Sequence, residues 1–238
     1  MTRIWVINPN TTRAMTSTIE VCARAVAADG TEVVGVTSEF GPPSIESHYD
    51  EAMSVPGLLA AVGRGEAQGV DGYVIACFGD PGLDAARELA TGPVIGIAEA
   101  AMHTASHLGG GFSIVTTLGR TIGRAEELAE RYGMSRFCRG YHACEIPVLD
   151  LETDPMAMKL VTEACREAVV QDGSDAVVLG CAGMADMCAH ISAEIGVPVV
   201  DGVTAATLTV QSLVTMGLRT GKRGEFAPPP PKEYVHKR

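Results

Sequence analysis

Asp71-Gly-Tyr-Val-Ile-Ala-Cys77-Phe-Gly79 and Asp175-Ala-Val-Val-Leu-Gly-Cys181-Ala-Gly183 lie on one another residue for residue: an aspartate, an apolar run, a cysteine, one further residue and a glycine. Short apolar runs rich in Val and Ile and ended by glycine read as strands buried on both faces of a parallel sheet. The match continues downstream, with Gly92-Pro93-Val94-Ile95 against Val197-Pro198-Val199-Val200 and Ala100-Ala101 against Ala205-Ala206. A chain that repeats a thiol at the same structural corner of two halves points to a symmetric site, with one thiol on either side of a substrate.

Working outward from these strands, apolar runs alternate with stretches carrying apolar residues at three- and four-residue spacing, the pattern of α/β architecture. Strands are predicted at 3–7, 31–36, 72–77 and 93–97 in the first half, and at 112–116, 136–141, 176–180 and 197–200 in the second. Asn10 or Thr11 is placed to cap a helix whose Met15, Ile19, Cys22 and Val26 share a face. Further helices are predicted at 50–63 and 80–89. Each half is thus a parallel sheet of about four strands flanked by helices, with boundaries expected at 1–98 and 99–205. A helix at about 206–220 is expected to complete the first half, and 221–238, with Pro228 to Pro231, to be an extended tail. Two long connections, 37–49 and 142–155, each follow the second strand of a half. They are predicted to hang over the carboxyl ends of the sheets, where open parallel sheets bind ligands.

Bulk composition narrows the function classes. With 238 residues, 46% hydrophobic and 20% charged, the chain reads as globular protein, and its apolar runs fall far short of the roughly 20 residues that span a bilayer. No secretory signal pattern opens the chain, so the cytoplasm is the expected location. A net charge of -11 without a basic patch argues against nucleic acid as a partner. The seven cysteines are odd in number and scattered, so reduced thiols are expected. Of these, Cys22, Cys165 and Cys188 read as helix core residues, whereas Cys138 and Cys144 flank a strand-loop junction. His103 and His107 stand four apart but make no recognised zinc pattern, and no metal site is expected. Gly109-Gly110-Gly111 precedes a strand, where a dinucleotide fingerprint should follow one.

One cysteine among apolar neighbours is commonly a buried small hydrophobe; two at matched corners make reactivity the better reading. Each thiol ends a strand just before a predicted helix, whose amino-terminal N–H groups favour a thiolate and would lower its pKa. A paired thiol and thiolate can take a proton from one face of a carbon acid and deliver one to the other, inverting configuration. The N–H groups around Gly79, Asp80, Ala182 and Gly183 can stabilise charge on an adjacent carbonyl. Thr116, Thr117 and Asn10 can add polar contacts, although such residues at helix starts are commonly only caps. The strand ends aimed at the pocket hold no Lys or Arg, which favours a neutral or weakly acidic ring such as a cyclic imide or ureide; Arg13 and Arg120 lie just beyond. Glu46 and His48 sit on the first long connection, where surface exposure is the commoner outcome, and Asp71 and Asp175 read as structural.

Ile7-Asn-Pro-Asn-Thr11, Ser44-Ile-Glu-Ser47, Ala76-Cys-Phe-Gly-Asp80 and Leu179-Gly-Cys-Ala-Gly-Met184 together resemble hydantoin racemase, of the aspartate/glutamate racemase superfamily. The resemblance runs from residue 3 to about residue 217. It implies two lobes related by a pseudo-twofold, and cofactor-independent racemisation of 5-substituted hydantoins in the cleft between them, with Cys77 and Cys181 as acid and base. It also implies pocket contacts at Asn10, Ile45, Phe78, Gly79, Asp80, Thr116, Thr117, Gly180, Ala182 and Gly183, and a homo-oligomeric assembly. Allantoin racemases share these motifs closely. Other chemistry on the same scaffold, such as amino-acid racemisation, maleate isomerisation or arylmalonate decarboxylation, is the main alternative, and a ligand-binding module the non-enzymatic one.

Overall fold

The computed structural model describes residues 1–233. Strand β1 (Thr2–Asn8) lies between β2 (Thr31–Thr37) and β3 (Gly72–Ile75), and β3 pairs with β4 (Val94–Gly96); every pairing is parallel. The second half repeats this with β5 (Phe112–Thr116) between β6 (Cys138–Ala143) and β7 (Ala176–Leu179), and β8 (Val199–Val200) beside β7. The two sheets therefore run β2-β1-β3-β4 and β6-β5-β7-β8, the same order twice. In this order the chain leaves β1 and β3 toward opposite sides, opening a crevice at their carboxyl ends. The equivalent crevice lies beyond β5 and β7.

The matched aspartates sit at the other end of the sheets and tie down backbone. The Asp71 carboxylate accepts from Arg3 N–H at 2.8 Å, and that of Asp175 from Gly110 N–H at 2.8 Å and Gly111 N–H at 3.2 Å. A side chain on Gly109 would place its Cβ 2.3 Å from Asp175 Cβ, so the glycine run admits this carboxylate. Trp5 is buried against Leu58 and Val62, packed between sheet and helix as the sequence predicts.

Parallel strands need crossovers, here α1 (Arg13–Val26), α2 (His48–Ala67), α3 (Leu83–Leu89), α5 (Ile122–Arg131), α6 (Ala157–Asp172) and α7 (Cys188–Ile195). Two further helices, α4 (Ile97–Ala105) and α8 (Gly202–Thr215), follow the last strand of each sheet. Instead of covering only its own sheet, α4 reaches β7 and β8 while α8 packs on β1, β3 and β4. The alanine pairs Ala100-Ala101 and Ala205-Ala206 lie together in one core cluster with residues of both sheets. Small side chains let the two helices approach closely where the halves meet. Burial of each Ile or Val in this cluster contributes about 1.5–3 kcal/mol.

Helix α1 follows Thr12 rather than a cap at Asn10 or Thr11, α8 spans Gly202–Thr215 where about 206–220 is expected, and two further helix starts differ. Helix α2 begins at His48 rather than 50, because Ser47 caps it: its Oγ accepts from Asp50 N–H and donates to the Asp50 carboxylate at 2.7 Å. Helix α3 begins at Leu83 rather than 80. Asp80 has φ of 44° and Gly82 of 65°, both left-handed, so the chain turns after Cys77 before any helix starts. In the tail, Lys222 Nζ donates to the carbonyls of Arg87 and Glu88, and Gly224–Phe226 forms a 3₁₀ turn. Residues 227–233 carry no regular structure; the tail expected over 234–238 lies outside the described residues.

Candidate active site

A cavity of about 170 Å³ lies at the carboxyl ends of both sheets, and both Cys77 and Cys181 line it. Its size suits a small ring. Each thiol follows the third strand of its sheet, so the duplicated motif places them at equivalent corners. Asn10 lines the cavity after β1, and Thr116, the last residue of β5, lines it with Thr117; Phe78, Gly79, Gly180 and Ala182 flank the thiols, and Ile45 enters from the first long connection.

Hydrogen bonds fix the polar walls. Asn8 Nδ2 donates to Asn10 Oδ1 at 2.8 Å and to Thr16 Oγ1 at 3.0 Å, and Asn10 Oδ1 also accepts from Thr12 N–H at 2.9 Å. This turns Asn10 Nδ2 onto the sulfur of Met15, a weak acceptor that leaves the amide able to donate to a ligand carbonyl. Thr116 Oγ1 is bonded to Thr121 Oγ1 at 2.8 Å and lies 3.3 Å from the Gly180 carbonyl, joining the ends of β5 and β7.

Two predicted contacts do not line the cavity. Gly183 is buried beneath Cys181, with its N–H directed at that thiol. Asp80 is buried and faces away from it: its carboxylate accepts from Ala98 N–H at 3.1 Å, Glu99 N–H at 3.0 Å and Tyr132 Oη–H at 2.7 Å, capping α4 from outside that helix. The Asp80 N–H, predicted as a donor to substrate, is spent on the Cys77 carbonyl at 2.9 Å. Burial pushes the Asp80 carboxyl up to about 7. Gly96, the residue before α4, must lack a side chain, since a Cβ there would fall 2.1 Å from Asp80 Cγ.

The expected lowering of the thiol pKa values is also overturned. Burial pushes Cys181 up to about 12 and Cys77 higher still, outweighing the N–H groups of Gly183 and Gly79 that pull each one down. With α3 starting six residues beyond Cys77, no helix end is there to stabilise a thiolate. Only Cys181 is followed at once by helical turns, the 3₁₀ segment Ala182–Met187.

Glu46 and His48 line the cavity, where the sequence favoured a surface loop, and so do Ser47, Glu51, Arg120, Thr121, Arg124 and Val148. Glu46 Oε1 accepts from Val148 N–H at 2.6 Å, tying the two long connections to each other across the opening. Arg120, which the sequence places just beyond the strand ends, lines the cavity, and so does Arg124 on α5, to which the sequence gives no pointer. Set against Glu46 and Glu51, they leave the formal charges of the wall balanced. His103, once half of a conceivable metal pair, bonds through Nδ1 to the Glu99 carbonyl at 2.8 Å.

Comparison with known proteins bears on this geometry. The Asp/Glu/hydantoin racemase profile matches residues 4–210. The chain belongs to that family. It is 48% identical to a hydantoin racemase of Rhizobium meliloti, over 95% of this chain and 94% of that protein, and 44% identical to one of Pseudomonas sp. (strain NS671), over 98% and 94%. Among solved structures, an allantoin racemase from Klebsiella pneumoniae is 52% identical, with a TM-score of 0.97 over 100% of this chain and 97% of that one. Among the described residues, no helix is long and apolar enough to cross a membrane.

Proposed function

We propose that this racemase interconverts the enantiomers of 5-monosubstituted hydantoins, with Cys77 and Cys181 moving protons on opposite faces of C5 and no bound cofactor taking part. The observation that carries the reading is the pair of matched thiols on one small cavity. C5 of a hydantoin is acidified by its neighbouring carbonyl, and the enolate oxygen formed as the proton leaves needs a donor; Asn10 Nδ2 is oriented for this. Apolar Met15, Ile45, Phe78 and Val148 suit the 5-substituent, and a charge-balanced wall suits a neutral ring better than a free amino acid. Allantoin, a hydantoin with a ureido group at C5, is the second reading, favoured by the 52% identity to the Klebsiella pneumoniae protein. The chemistry requires reduced thiols, which fits a cytoplasmic setting. Exposed Phe40, Tyr49 and Met53 support assembly into a homo-oligomer.

The test is the loss of optical rotation from a panel of single-enantiomer hydantoins, allantoin and free amino acids between pH 7 and 9. Both thiols are raised by burial, so the form with one thiolate is scarce at pH 7 and grows tenfold per pH unit. We therefore expect kcat/KM for the cyclic ureides to climb about tenfold per unit across this range, with free aspartate and glutamate unchanged. Turnover of a free amino acid but of no ring would remove the proposal.

A further inference from the structure

The two cysteine corners match in sequence but not in their surroundings. Arg124, on α5 of the second half, crosses to the first and donates to the Gly79 carbonyl through Nη2 at 2.8 Å and Nε at 3.3 Å. Its Nε lies 3.4 Å from Glu51 Oε1. Glu51 in turn occupies the space a side chain at position 79 would need, because a Cβ on Gly79 would fall 2.3 Å from Glu51 Oε1. The glycine of the Cys-x-Gly motif is thus held from both sides, by a guanidinium on its carbonyl and a carboxylate on its α-carbon. Among the described residues, no arginine is bonded to the equivalent Cys181-Ala-Gly183 corner. That thiol is faced by Cys144 and Glu46, and the Glu46 carboxylate is engaged by Val148 N–H.

We propose that Glu51 and Arg124 are a positioning pair for Cys77: Arg124 fixes its corner across the two halves, and the pair sets the charge beside this thiol but not beside Cys181. The proposal rests on the two-thiol reading above. The groups facing Cys77 are Glu51 from α2, Cys181 from the other half and Asp80 from its own turn, with Arg124 from α5 on the Gly79 carbonyl and Glu46, His48 and Arg120 elsewhere on the cavity wall. The Asp80 carboxylate is taken up by the start of α4. Glu51 and Arg124 therefore form a nearly neutral pair, and removing either member leaves one charge beside the Cys77 sulfur. Loss of Arg124 also frees the Gly79 carbonyl, letting the corner drift. Glu51 disfavours a thiolate at Cys77, and Arg124 is the cation paired with that carboxylate.

The experiment is the pH dependence of iodoacetamide alkylation, read on the Cys77 and Cys181 peptides by mass spectrometry in the full-length protein. Glu51→Gln is expected to move the Cys77 profile to lower pH by about one unit, so that alkylation at pH 8 is roughly tenfold faster. Arg124→Met is expected to move it to higher pH and to lower kcat by roughly 10- to 100-fold with a smaller change in KM. The Cys181 profile should stay in place in both. Arg124→Lys keeps the charge without the two-pronged contact, so it should hold the alkylation profile while still losing kcat; it also serves if the methionine variant does not fold. Folded variants whose Cys77 profile coincides with that of the parent would overturn the proposal. Alkylation needs no substrate, so a protein that racemises nothing defeats the functional reading, whereas an unmoved Cys77 in an active enzyme defeats only the positioning pair.

Discussion

Cys77→Ser and Cys181→Ser are each expected to lower racemisation by about three orders of magnitude, the scale of a positioned general acid or base, without unfolding the protein. Serine keeps nearly the same shape as cysteine, so little packing is lost. What changes is acidity: a serine hydroxyl in a site that already raises its thiols holds its proton throughout the working pH range. The variants should nevertheless retain half of the chemistry. The remaining thiol still faces one side of C5, and can remove the proton of one enantiomer and return a solvent proton from that same side. Each variant should therefore exchange C5–H for deuterium in one enantiomer with configuration retained, and the two variants should select opposite enantiomers. Proton NMR of the separated enantiomers in deuterated water reads this. Near-parental racemisation in either variant, or the same enantiomer exchanged by both, contradicts the assignment of one thiol to each face.

The second large effect is expected at Asp80, a residue that touches no substrate. Asp80→Ala removes the acceptor for two backbone N–H groups at the start of α4 and for the Tyr132 hydroxyl, all in a buried setting. It also puts alanine at φ of 44°, where asparagine and aspartate are tolerated better. The loss should be about 3 kcal/mol, lowering Tm by roughly 6–12 °C in a chain of this size. Asp80→Asn keeps the tolerated backbone and one acceptor oxygen, so it should fall between. The pH dependence has a definite sign. The folded pKa, about 7, lies above the unfolded value, so the stability Asp80 contributes is present in full below the unfolded pKa and lost as pH rises through 7. Thermal unfolding at pH 5.5 and 8.5 should show the larger deficit for Asp80→Ala at the lower pH. No deficit at either pH would show that the carboxylate does not hold α4 to the Cys77 corner, and an equal deficit at both would contradict its raised pKa.

The Asp71 and Asp175 runs made the architecture legible, since strands buried on both faces and repeated with their thiols leave few alternatives to two equivalent parallel sheets. The 112–116 strand matches its predicted bounds because Phe112, Ile114 and Val115 form a short strand-favouring run between a glycine run and a turn. The start of α3 was illegible because left-handed backbone at Asp80 is set by tertiary bonds to α4, about 18 residues on. Its role was hidden for the same reason: α4 begins after a glycine that cannot cap, and the missing carboxylate arrives from another turn. In α8, expected at about 206–220, the helix starts earlier, at Gly202, because Asp201 stands at the cap position and accepts from Thr204 N–H at 2.8 Å. Arg124 left no local signal at all, as it becomes part of the cavity only when α5 of one half lies against Gly79 of the other. The thiols' raised pKa values escaped because strand-end chemistry suggested a helix dipole, while burial by both halves decides the balance.

The central claim is that two thiols serve one carbon from opposite faces. The most direct test starts from a single enantiomer of a 5-substituted hydantoin in deuterated water and follows the label at C5 in substrate and product during the first few per cent of conversion. The account predicts product carrying deuterium at C5 while the remaining substrate keeps its hydrogen. Deuterium entering the unconverted substrate as fast as the product forms would instead place a single base on both faces.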